Sequence, residues 1–184
     1  MGRADHDGPM ETPTDDTGVA GPVFWTIGHS DHPIDRFVAL LRAAEITAVA
    51  DLRSVPWSRR HPQFGARPLA AALKTAGIAH VPLGAELGGR PPADADPERL
   101  AEARARGIAR LLHGARQHRI ALMCAERDPL DCHRFHLVSP LLRAAGAQLV
   151  HLTPDGGAES DGAALERLAR SRPAPAAIGD LFGS

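Results

Sequence analysis

The sequence predicts a single α/β domain: a mainly parallel sheet of about five strands with helices on both faces, a Rossmann-like three-layer sandwich. Three observations predict it. Apolar runs of five to seven residues alternate with amphipathic stretches of ten or more across residues 23–152, and each helical crossover returns the chain to begin another parallel strand. The apolar runs are nearly continuous, which suits strands buried on both faces. Gly77 and Gly146 stand where two of the helices should end, in the position that favours a left-handed C-cap.

The elements follow in order. Residues 23–27 form a short apolar strand. Residues 33–44 form a helix with Ile34, Phe37, Leu40, Leu41 and Ala44 on one face, opened by Pro33. Residues 46–52 are the second strand, 67–76 the second helix and 78–83 the third strand. A long Ala/Arg/Leu helix is expected over 97–118, with Gly107 or Gly114 as the place where it would break. The fourth strand covers 119–123, a helix covers 131–145, and 147–152 is the fifth strand.

The ends differ in character. Residues 1–22 hold one basic and five acidic groups, are rich in Gly, Pro, Asp and Thr, and are expected to be a disordered tail. Residues 153–184 form a partly disordered extension with one short helix at 162–171, and Ala177 to Phe182 is a segment that could dock on the domain. The extension has three basic and five acidic groups, leaving 17 basic and 12 acidic groups for the domain between. A basic domain with acidic ends favours an anionic ligand. At 43% hydrophobic residues, the chain has no apolar run approaching membrane-spanning length and no secretory leader, so a cytoplasmic protein without a membrane partner is expected.

Both cysteines of the chain fall in the segment Cys124-Ala125-Glu126-Arg127-Asp128-Pro129-Leu130-Asp131-Cys132-His133-Arg134. This places Cys124 at a strand end and Cys132 at the first turn of a helix, where unpaired N–H groups and the helix dipole lower a thiol pKa. Glu126, His133 and Arg134 supply acid, base and charge partners. The plain alternative is a buried, inert thiol. A structural disulfide fits poorly in a chain without a leader. The spacing matches no common zinc pattern, so no metal is required, although a weaker reading binds one through Cys124, Cys132, His133 and a distant histidine. A tyrosine-phosphatase loop is excluded, since Leu130 stands where its arginine would be.

In open parallel sheets ligands bind outside the carboxyl ends of the strands. Every unusual polar segment falls on that edge: Gly28-His29-Ser30 after the first strand, residues 53–60 after the second, 84–90 after the third, and the cysteine segment after the fourth. The expected catalytic group is therefore Cys132, Cys124, His133, His29 and Glu126. The expected ligand-binding group is Arg53, Ser54, Ser58, Arg60, Glu86, Arg127 and Arg134, with the arginines clamping an anion; the plain alternative for Arg53 is a structural ion pair with Asp51. Trp57 can stack on a base or anchor its loop.

Thr26-Ile27-Gly28-His29-Ser30, Asp51-Leu52-Arg53-Ser54-Val55-Pro56 with Ser58-Arg59 and Gln63-Phe64, Glu86-Leu87-Gly88-Gly89, and Cys124-Ala125-Glu126 with Cys132-His133-Arg134 resemble the domain-of-unknown-function family 488 over residues 23–152. The resemblance implies the three-layer fold and the site positions, and no reaction. The sequence departs from the pattern at His80, where an aromatic residue is usual, and before Gly107, where the usual aromatic residues are missing.

Two functions are consistent with these features. One is a thiol-dependent enzyme (hydrolase, transferase or redox enzyme) acting on an anionic small molecule, nucleotide or nucleic-acid component. The other is a noncatalytic anion- or nucleic-acid-binding domain with structural or metal-linked cysteines.

Overall fold

Six strands form one sheet in the order β3-β2-β4-β1-β5-β6. The computed structural model describes residues 21–171, so nearly all of the expected N-terminal tail, residues 172–184 and the docking segment at Ala177 to Phe182 lie outside the described residues. Strands β1 (Val23–Gly28), β2 (Ala48–Asp51), β3 (Ala79–Pro82), β4 (Ile120–Cys124) and β5 (Gln148–Leu152) run parallel. The sixth, β6 (Ala158–Ser160), pairs antiparallel with β5. It was not expected, because three residues without apolar alternation carry no strand signal; a turn closed by Thr153 N–H to the Gly157 carbonyl folds it back.

Alternate strand residues feed two cores. On one face Trp25, Ile27, Val49, Ala121 and Met123 pack under α1 (Ile34–Ala43) and α2 (Ala66–Thr75) through Phe37, Leu40, Leu41, Leu69 and Leu73. On the other, Phe24, Ala48, Ala50, Ile120, Leu122 and Leu149 pack under α3 (Gly84–Leu87), α4 (Pro97–Gly114) and α5 (Ser139–Ala144) through Leu87, Leu111 and Leu142. Each buried Leu, Ile or Phe contributes about 1.5–3 kcal/mol. The expected three-layer α/β fold is present. Gly77 and Gly146 take φ of 75° and 78°, as left-handed C-caps require.

Two helices differ from expectation. α4 is capped by Asp96, whose carboxylate accepts the Glu98 and Arg99 N–H groups; it runs unbroken through Gly107, where Leu87 packs close to the bare backbone, and ends at Gly114, the second of the two expected breaks, short of residue 118. The expected helix over 131–145 is three pieces: a 3₁₀ turn at Pro129–Asp131, a π turn at Arg134–Val138, and α5. Pro140 explains the break. It has no N–H for the His136 carbonyl and its ring crowds that turn, so the helix widens, with Ser139 N–H and Oγ both directed to the Arg134 carbonyl.

The extension adds α6 (Asp161–Ser171), whose first turn is held by Ser160 Oγ accepting the Ala163 N–H. It closes on the domain through a buried chain: Thr26 Oγ1 lies 2.8 Å from His151 Nδ1, and His151 Nε2 lies 3.2 Å from Asp161, which also binds Arg143 at 2.6 Å. No helix among the described residues is long and apolar enough to cross a membrane.

The crossovers place the site. From β1 the chain leaves by α1 on one face; from the adjacent β4 it leaves toward β5 by α5 on the other. Neighbouring strands whose connections part in this way leave a crevice at their carboxyl ends.

Candidate active site

β2, β4 and β1 are neighbours, with Gly28 level with Cys124 and Asp51 level with Met123. Their loops are tied at once: His29 N–H donates to the Cys124 carbonyl at 2.9 Å, Ser30 N–H to Ala125 at 3.0 Å, and Leu52 N–H to Met123 at 2.9 Å. The cysteine loop then crosses directly over Gly28. A Cβ there would lie 1.8 Å from the Glu126 carbonyl oxygen, so only glycine allows the crossing.

Both thiols are buried: Cys124 is 0% and Cys132 1% exposed. Their Sγ atoms are 2.6 Å apart, and Cys132 Sγ lies 3.0 Å from Glu126 Oε2 and 3.8 Å from His133 Nδ1. Cys132 directly precedes His133, the N-cap of the widened helix, and its sulfur accepts the Arg134 N–H at 3.4 Å. Beneath lies the Arg134 side chain, wholly buried, with its guanidinium on Cys124 Sγ and on the carbonyls of Glu126 and Arg127. A permanent cation under two sulfurs favours one thiolate in the pair. Cys132 is the one lowered, to about 6, by the hydrogen bond from Cys124, opposed by burial and aided by His133 and Arg134. Burial pushes the Cys124 thiol up.

The surrounding groups are set to complement that charge. His133 Nε2 contacts the Leu52 carbonyl at 3.1 Å and therefore carries a proton. Burial works against its cation, but Cys132, the Leu52 carbonyl and Glu126 together outweigh it and raise the pKa. Glu126 resists burial through hydrogen bonds with both cysteines and is held down to about 2. His29 is the opposite case. Burial lowers it to about 4, with Arg53 and His61 assisting and the Ser30 carbonyl opposing. Its ring stacks on Phe64 at 4.3 Å, and Nδ1 donates to the Ser30 carbonyl at 2.9 Å, leaving a neutral ring with a lone pair on Nε2.

Above this layer opens a cleft of about 700 Å³, lined by His29, Ser30, Arg53, Ser54, Trp57, Ser58, His61, Arg90, Glu126 and His133 among others. The sulfurs are not in its lining; they sit directly behind Glu126 and His133. Trp57 is 65% exposed at the rim, with the Arg59 guanidinium 5.9 Å from its ring.

Of the twelve expected residues, His29, Arg53, Ser54, Ser58, Glu126 and His133 line the cleft, and Cys124, Cys132 and Arg134 form the layer below. The other three are elsewhere. Arg60 and Arg127 are exposed outside the lining, and Glu86 pairs with Arg110 of α4. Two expected anion clamps have other partners. Arg53 grips both carboxylate oxygens of Asp51, at 2.8 and 2.6 Å, and the Phe64 carbonyl at 2.7 Å. Arg134 faces the thiols from beneath. The cleft's cation is instead Arg90, whose backbone N–H is anchored on Ser54 Oγ at 3.0 Å. His61 also went unforeseen: ten residues beyond β2, it follows no strand and belongs to no motif.

The cysteine loop is fastened from outside by the extension. Arg167 of α6 contacts both oxygens of Asp128, at 2.6 and 3.0 Å, and Glu159 of β6 at 2.9 Å; Asp128 in turn caps the Leu130 N–H at 2.9 Å. A metal would find Cys124, Cys132 and one Glu126 oxygen within 4.8 Å of one another. Yet the Arg134 guanidinium already supplies positive charge at that position, and sulfurs 2.6 Å apart are too close for two corners of a tetrahedral zinc with bonds of about 2.3 Å. The donor set fits a bare thiolate pair better than a metal.

The fold and site define a class: parallel α/β proteins with a buried dithiol at the carboxyl edge of the sheet, beneath a polar cleft. Within it, this chain belongs to the family described as Domain of unknown function DUF488, whose model matches residues 33–141. No curated protein matches the chain.

Proposed function

We propose that the protein is a thiol-dependent enzyme that binds an anionic small molecule, nucleotide or nucleic-acid component in the cleft and attacks it with Cys132. The observation that carries this reading is the environment of one sulfur: Cys132 Sγ accepts a helix N-terminal N–H, neighbours the proton-bearing His133 and has a pKa near 6. Glu126 and His133 separate it from the cleft, so attack requires the His133 ring to rotate aside. His133 then serves as proton donor to a leaving group and neutral His29 as proton acceptor. Arg90, Ser54 and Ser58 offer the anion contacts, and Trp57 a surface for a ring.

A second reading, a noncatalytic anion- or nucleic-acid-binding domain, is favoured by the burial of both sulfurs and the exposure of Trp57. Alkylation separates the two. The enzyme reading expects rapid modification of Cys132 at neutral pH, slowed by a nucleoside monophosphate and abolished in Cys132→Ser. Alkylation only after unfolding, with the monophosphate still bound, overturns it in favour of the second.

A further inference from the structure

A hydrolase or transferase needs one nucleophile, yet this site holds two sulfurs 2.6 Å apart, each with its own charge partner: Cys132 beside His133, Cys124 on the Arg134 guanidinium. We propose that Cys124 and Cys132 interconvert between a dithiol and an intramolecular disulfide, and that the pair reduces small hydroperoxides as it oxidises. The two sulfurs need to close by only about 0.5 Å to reach a bond of about 2.05 Å. Cys124 ends a central strand and Cys132 follows a loop tied to β1 and to α6, so the pair is pre-aligned by the fold.

Burial selects the oxidant. Sulfurs at 0% and 1% exposure behind Glu126 and His133 are closed to a protein disulfide, and rotation of the His133 ring admits only a reagent of a few atoms. In the first step the Cys132 thiolate attacks the terminal oxygen of the hydroperoxide. An S–O bond forms, the O–O bond breaks, and the departing alkoxide takes a proton from His133, leaving an alcohol and a Cys132 sulfenic acid. In the second, Cys124 attacks the Cys132 sulfur as its thiol proton moves to the departing oxygen. The S–S bond forms, the S–O bond breaks, and hydroxide leaves as water with that proton. Arg134 carries the thiolate charge in both steps, first shared between the sulfurs and then on Cys124. Two electrons pass from the thiols to the peroxide. A small thiol or dithiol reductant restores the pair.

This goes beyond the cleft reading and needs no cleft ligand; the two share the Cys132 thiolate and its proton donor, His133. The test exposes the reduced full chain to one equivalent of hydrogen peroxide, then alkylates in denaturant and weighs the intact protein. The expected result is two alkylation sites before peroxide, none after, and both regained with dithiothreitol. In Cys124→Ser and Cys124→Ala, Cys132 should instead stop at a sulfenic acid captured by dimedone. Wild-type protein that keeps both alkylatable thiols, or oxidises Cys132 irreversibly, overturns the proposal. So does a Cys124 variant with the wild-type pattern, which would mean the bond forms between chains. Protection of native Cys132 by a nucleoside monophosphate is scored separately on untreated protein. Its loss with the disulfide intact overturns the cleft reading alone; the reverse result overturns the dithiol inference alone.

Discussion

His29 should make the fold acid-sensitive from about pH 6.5 downward. Its pKa in the fold is about 4, against 6.5 for the free side chain, chiefly because the ring is 3% exposed and stacked on Phe64. The downward shift fixes the sign. Above pH 6.5 the ring is neutral in both states and the full stability is present. Between 6.5 and about 4 the unfolded chain takes up a proton that the folded chain refuses, so stability falls as pH falls; below about 4 both states are protonated and the loss stops growing. At about 1.4 kcal/mol per pH unit the interval corresponds to about 3 kcal/mol. For a urea dependence of about 2 kcal/mol per molar, the midpoint should fall by ~1–2 M. Urea unfolding of wild type and His29→Gln from pH 4 to 7.5 checks this, the amide keeping a donor for the Ser30 carbonyl. The comparison is of slopes, so the lost ring stacking does not enter, and the opposing contribution of His133, whose pKa is raised, cancels. Parallel curves would refute the assignment of His29 as the neutral base of the cleft.

Further outcomes follow from the layer below. Alkylation of Cys132 should speed up as pH rises through about 6 and level off by pH 8, because the thiolate is the reacting form; a midpoint above the free-thiol value of about 8.5 would remove the case for activation. Arg134→Met should destabilise the fold by roughly 3–5 kcal/mol in chemical denaturation, since a buried sulfur and two part-buried carbonyls lose their partner; a cost under 1 kcal/mol would mean the guanidinium is dispensable. Gly28→Ala should displace the cysteine loop, lowering the thermal midpoint and slowing Cys132 alkylation together, and an unchanged rate would contradict the crossing. Arg167→Ala should cost only about 1 kcal/mol, its ion pairs being partly exposed, while hydrogen exchange at Leu130 quickens.

The fold was legible because β1, β2 and β4 are largely apolar runs and two helix ends carry glycine; β6 was not, since main-chain pairing with β5 and the turn at residues 153–157 make it a strand. The site's edge was legible from the order of the strands, and the identity of the sulfurs from their polar setting. Depth was not. Asp51, two residues before Arg53, marks a structural ion pair as one reading of that guanidinium, and the pair forms. Nothing in Arg134 distinguishes a guanidinium facing a cleft from one turned beneath a loop, because its partners include the Glu126 and Arg127 carbonyls, backbone groups with no sequence signature. His61 and Arg90 reach the cleft along irregular backbone, whose path depends on tertiary contacts such as Arg90 N–H on Ser54 Oγ.

The Arg167 fastening has a consequence for how the protein is made. α6 is the last described element and Arg167 lies 39 residues beyond Asp128, so the outer fastening of the thiol loop can form only after every strand of the sheet has been made. Docking of α6 is the step that completes the site, and a chain ending short of residue 167 would carry its two sulfurs in a loop secured by the sheet alone.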